Sequence, residues 1–179
     1  MNFGETLKYN KIWGTRKNFA FTLAEVLITK NNMALTKLFE KPQRITQLFG
    51  KNPKMYEKFG LKWHNWIDYG TPIGTTLLAC LEGTIEVWND HKSYGKYIKI
   101  FKTRSDWISE VIYWHLSEIK VKTGQIVKPW DIIGKTGNTG NSTWPHLHFG
   151  LRFRDTKKNV INKDNGFSGW IDPIPYFEK

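Results

Sequence analysis

The chain has 179 residues, 40% of them hydrophobic, enough for one globular domain with a short extension but not for two full domains. Its formal charge is +11, and residues 1–62 hold 12 Lys/Arg against 4 Asp/Glu, so most of the excess lies in the first third. A basic surface attracts polyanions, whether cell-wall polymers, anionic lipid head groups or nucleic acid, and charge alone does not choose among them. A single cysteine, Cys80, excludes an intramolecular disulfide and a thiolate zinc centre.

Residues 1–42 read as an N-terminal extension. Its segment Phe21-Thr-Leu-Ala-Glu25 resembles the start of type IV prepilins, with Arg16 and Lys17 as the basic leader. A pilin helix would continue where Lys30-Asn31-Asn32 ends the apolar run. As a secretory signal the segment is also flawed, since Glu25 interrupts it and no small-residue cleavage site follows. Met33 is an alternative translation start. No run reaches the ~18–20 apolar residues that span a membrane, so no transmembrane segment is expected.

Residues 43–179 have the texture of a mainly β, antiparallel domain. Gly83-Thr-Ile-Glu-Val87 and Tyr97-Ile-Lys-Ile-Phe101 alternate as half-buried strands do, and Glu110-Val-Ile-Tyr113 is a further short run. Gly70–Gly74, Ser93–Gly95 and Gly137–Ser142 are turn or loop signals. Cys80, within Leu77-Leu-Ala-Cys80-Leu81, is expected to be a small buried hydrophobe.

Four of the five histidines fall in three clusters: His64-Asn-Trp-Ile-Asp68, Tyr113-Trp-His115-Leu-Ser117 and His146-Leu-His148-Phe149. His64, Asp68 and one further histidine offer two nitrogens and a carboxylate oxygen, the donor set of a catalytic zinc site with its fourth position open. On a strand His146 and His148 share a face, roughly 6.6 Å apart. His64 and Asp68 on a straight strand would be about 13 Å apart, so the chain must bend near Asn65 if both bind one ion. His91, in a polar turn, reads as a surface histidine.

The order of these clusters, HxxxD then YxHLS then GNTGNSTxPHLHF, resembles the lysostaphin-type zinc metallopeptidases, the peptidoglycan endopeptidase family. Further matching stretches, among them Val121–Val127, Asp131–Gly134 and Ile171–Pro173, extend the likeness from about Arg44 to Tyr176. The resemblance implies an antiparallel β-sheet domain crossed by a groove that holds an extended peptide. It implies one Zn2+ ligated by His64, Asp68 and His148, with His115 and His146 in catalysis, and a bacterial peptidoglycan peptide as substrate. The place of action it implies is the cell envelope or the extracellular space.

Other readings carry less. A catalytically impaired relative that binds peptidoglycan or activates another hydrolase would have lost metal-site residues, and here all five positions are filled. A biotinyl- or lipoyl-type carrier would need a modified lysine on a hairpin tip, and no such motif is present. No nucleic-acid motif accompanies the basic N-terminal third, so no specific nucleic acid is expected. Tryptophan is the anomaly. Trp63, Trp66, Trp130 and Trp144 stand where the family pattern has glycine, and Trp114 where it has a small residue. Lys128-Pro-Trp-Asp131 reads as a type II turn, whose third position demands Gly or Asn. UGA codons meant as glycine would explain Trp63, Trp66, Trp130 and Trp144; the alternative is a divergent enzyme with aromatic groove walls.

Overall fold

The computed structural model describes residues 33–57, 63–90 and 93–178; the prepilin-like segment and His91 lie outside them. Eleven strands form two antiparallel sheets: β1 Arg44–Gln47, β2 Ile67–Gly70, β3 Thr76–Leu78, β4 Gly83–Asp90, β5 Gly95–Thr103, β6 Trp107–Leu116, β7 Glu118–Ile119, β8 Ile126–Val127, β9 Ile132–Lys135, β10 His146–Asp155 and β11 Trp170–Ile171. The larger sheet runs β1-β2-β10-β6-β5-β4-β8, with β11 also on β10, and the smaller runs β3-β9-β7. Helix among the described residues is confined to a single turn, α1 (Pro53–Tyr56), and a 3-10 turn at Ile174–Tyr176. The fold is the expected mainly β, antiparallel domain. Gly70 and Gly95, read as loop residues, instead end β2 and begin β5.

The period-two rule divides the two central strands cleanly. Leu147, Phe149, Leu151 and Phe153 of β10 face the main core with Val111 and Tyr113 of β6, together with Ile98 and Ile100 of β5. Residues between them, His146, His148 and Arg152 on β10 and Ile112 and Trp114 on β6, line a cleft on the opposite face. Cys80 is fully buried in the core, and burial pushes its thiol up to about 12, as befits a packing residue. Residues 33–39 are also part of this core. Met33, Leu35, Leu38 and Phe39 are buried, and the Leu35 N–H donates to the Tyr176 carbonyl (2.8 Å) while Glu178 N–H donates back to Leu35 (2.9 Å).

One polar cluster lies beneath the cleft face. Glu110 of β6 is fully buried and accepts from Arg152 Nε (2.7 Å) and Nη2 (2.8 Å) and from Arg154 Nε (2.5 Å), with Lys99 Nζ at 3.6 Å. Burial raises the Glu110 carboxyl, but Arg152 and then Arg154 outweigh it and hold it below its ordinary 4.5. A carboxylate depressed in the fold contributes stability above its unfolded value and loses it as the pH falls through its folded value. Glu110→Gln should therefore cost ~3–5 kcal/mol at neutral pH, the usual loss when a buried pair is broken. Urea midpoints followed from neutral pH downward should show wild type losing stability below about pH 4.5 more steeply than the variant, narrowing the gap.

Candidate metal centre and cleft

Three adjacent strands place the central side chains. Asp68 on β2 pairs across from His148 on β10, and His148 pairs on its other side with Trp114 of β6. His64 lies before β2, and the chain bends between it and Asp68 so that His64 Nε2 stands 3.4 Å from Asp68 Oδ1. Strand geometry alone would keep these residues apart; the bend brings them together. His148 Nδ1 contacts the same Asp68 oxygen. The ligand atoms of His64, Asp68 and His148 all lie within 4.8 Å of one another, and all three residues are buried.

Proton accounting shows what this group wants. His64 Nδ1 lies 3.3 Å from the Leu48 carbonyl, a pure acceptor, so Nδ1 donates there and Nε2 is aimed at Asp68. The buried His64 Nε2 has no close hydrogen-bond partner. Burial raises the Asp68 carboxyl, but His148 and then His64 outweigh it and hold it far below the carboxylate range. Burial pushes His148 down to about 4, against the pull of Asp68. An ionised carboxylate, a neutral His148 and the His64 ring, buried with their ligand atoms together, are the donor types that bind a divalent cation. His115, His146 and His148 also lie close enough to share an ion, but that set lacks a carboxylate to offset buried charge.

His115 and His146 flank the group, with ring centroids 4.8 Å apart. His146 Nδ1 donates to the Trp144 carbonyl (2.8 Å) and lies 3.2 Å from Ser142 Oγ, which leaves Nε2 as an acceptor, 4.0 Å from Asp68 Oδ1. His115 Nδ1 donates to the Thr139 carbonyl (2.8 Å), so its Nε2 is likewise free of a proton. His115 has φ +63° and sits at an irregularity in the β5–β6 register, a bulge that turns its side chain into the cleft. Burial lowers its pKa despite the Thr139 bond, so the ring is neutral at pH 7.

Four of the five expected residues, Asp68, His115, His146 and His148, line one cleft of about 670 Å³, and His64 is buried behind it beside Asp68. Its sequence-invisible parts are backbone carbonyls: Leu48, Thr139 and Trp144 each fix a histidine tautomer. The glycine-rich loop was legible as a loop, but not the role of Thr139. That loop docks on the β4–β5 turn through glycines at close approach. A Cβ on Gly95 would lie 2.3 Å from Thr139 Oγ1, and one on Gly140 2.3 Å from the Gly95 nitrogen.

Residues 62–162 match the family described as peptidase family M23. Over 103 residues the chain is 37% identical to the peptidoglycan DD-endopeptidase ShyA of Vibrio cholerae, covering 55% of this chain and 22% of that one. Over 115 residues it is 33% identical to the glycyl-glycine endopeptidase ALE-1 of Staphylococcus capitis, covering 64% of this chain and 29% of the relative. The chain thus spans about a quarter of the length of these curated relatives. The catalytic domain of lysostaphin from Staphylococcus simulans superimposes with a TM-score of 0.58 at 29% identity, over 75% of this chain and 91% of that domain.

Thr139 Oγ1 donates to the Leu116 carbonyl (2.8 Å) and accepts the Lys96 N–H (3.0 Å), tying the loop to β5 and β6. Thr139→Val strands both groups and should lower stability by ~1–3 kcal/mol in urea denaturation. Activity should fall further than folding, because the carbonyl that orients His115 moves with this residue.

Proposed function

The chain belongs to peptidase family M23, and from that premise we propose that it is a zinc-dependent endopeptidase that cuts peptide bonds in bacterial peptidoglycan, acting in the cell envelope or outside the cell. One observation carries the reading: buried His64, Asp68 and His148 bring their ligand atoms within 4.8 Å of one another, and His64 Nε2 there has no hydrogen-bond partner. His64, Asp68 and His148 would hold one zinc ion. Held there, zinc would supply Lewis-acid polarisation of the scissile carbonyl and would lower the pKa of water from 15.7 to about 7.

The protein's own groups do the rest. His146 accepts the proton of the attacking water at Nε2, because its Nδ1 proton is committed to Trp144, and passes it to the leaving amine. Neutral His115 also offers a lone pair at Nε2, which favours orienting the water over donating to the oxyanion. The extended cleft across β2, β10 and β6 suits a peptide backbone. The reading is supported by one relative named a peptidoglycan DD-endopeptidase and another named a glycyl-glycine endopeptidase, and it leaves the choice of bond open. The basic surface suits a wall rich in anionic polymer.

Replacing His64, Asp68 or His148 by Ala should abolish zinc binding and hydrolysis together, since three protein ligands is the minimum for such a site. His115→Ala and His146→Ala should retain zinc while losing activity by roughly 10²–10⁴-fold. Metal analysis beside peptide release measures both, and stoichiometric zinc in His148→Ala would overturn the ligand assignment.

A further inference from the structure

The cleft runs along β10 beyond the histidines to a cationic end. Arg152 follows His148 by four residues on the same face, about 13 Å away at 3.3 Å per residue. Arg152 and Lys99 both line the cleft there. Buried Glu110 is saturated by Arg152 and Arg154, with Lys99 beside it, so three cations against one carboxylate leave two positive charges in excess. The Arg152 and Lys99 side chains are only 14% and 18% exposed, and the Arg152 guanidinium is held over the Trp170 ring at 4.3 Å. Arg154, which is not among the cleft-lining residues, already offsets the Glu110 charge. Arg152 and Lys99 are therefore the cations that an anion in the cleft would meet, and partial burial strengthens that attraction.

We propose that this end of the cleft is a subsite for a peptide carboxylate, with Lys99 and Arg152 setting the preference. The proposal rests on the peptidase reading and deepens it: the carboxylate would lie about four extended residues from the scissile bond. Two peptidoglycan-type peptides, alike except for a free carboxylate or a carboxamide at that end, test it by calorimetric binding and by hydrolysis. Wild type should bind the carboxylate form about tenfold more tightly, the worth of one charge-assisted hydrogen bond, and show a lower KM at similar kcat. Lys99→Met should erase most of the difference. Equal affinity for the two peptides would overturn the subsite. An affinity difference without any hydrolysis would uphold the subsite and overturn the peptidase reading.

A separate set of observations concerns tryptophan. Trp130 has φ +78° at the third position of the turn closed by Asp131 N–H donating to the Lys128 carbonyl (3.2 Å), a left-handed conformation that suits glycine. Trp66 and Trp114 are buried, and neither indole N–H has an acceptor. Both rings lie against His148, with centroids 4.2 and 5.1 Å away. Trp66 and Trp114 pack on each other, with centroids 4.3 Å apart. At Trp130 the backbone suits glycine, and at this tryptophan pair two buried indole N–H groups are left without acceptors.

We infer that residues 66, 114 and 130 are glycine in the protein as its own cell makes it, their codons being UGA read as glycine. One decoding rule accounts for all three, in a chain with nine tryptophans. Trp63 and Trp144 are exposed, and nothing in the structure objects to them. Codon sequencing and mass spectrometry of peptides from the native protein decide the matter. UGA codons with glycine-mass peptides at 66, 114 and 130 are expected. UGG codons, or tryptophan in the native peptides, would overturn the inference.

Discussion

Ligand-type side chains that converge in a buried space set the terms for this molecule. Asp68, His64 and His148 meet where β2 and β10 join, with their ligand atoms within 4.8 Å around one negative charge. Water is largely excluded there, so the arrangement is costly until a cation occupies it. The strand register exists to sustain that meeting. A slip of one residue between β2 and β10 would turn His148 into the core and Phe149 into the cleft.

Around this centre, the backbone acts as the second layer of the site. Each orienting bond to His64, His115 and His146 comes from a main-chain carbonyl, on the β1–α1 connection or the glycine-rich loop. Main-chain groups place such partners with little loss of freedom, provided their loops are held. Gly95 and Gly140 hold them by allowing two loops to touch backbone to backbone. The same cleft face carries the Glu110 cluster, so stability and the proposed peptide subsite draw on one stretch of β10.

Much of this was legible in the sequence because strand chemistry is local. The alternation of His146-Leu-His148-Phe149 reports its own two faces, and the spacing of His64 and Asp68 demanded a bend that the chain makes. The type II turn at Lys128–Asp131 was equally local, and Trp130 takes the positive φ that the turn requires. Contacts remote in sequence were not legible. Nothing in Met33–Phe39 announces pairing with residues near 177, and Glu110 gives no sign of burial until Arg152 and Arg154 arrive from another strand. The carbonyl of Thr139 was invisible for a different reason: a main-chain acceptor has no signature in side-chain identity.

The central claim is that the convergent ligand-type side chains at Asp68 are a working metal site. Its most direct test is to strip the purified protein of metal and follow both its melting temperature and the peptides it releases from defined peptidoglycans as zinc is returned. The account predicts that melting temperature and peptide release rise together and saturate at one zinc per chain, and that a chelator reverses both. Full hydrolysis by the stripped protein, or zinc that neither binds nor stabilises, would contradict it.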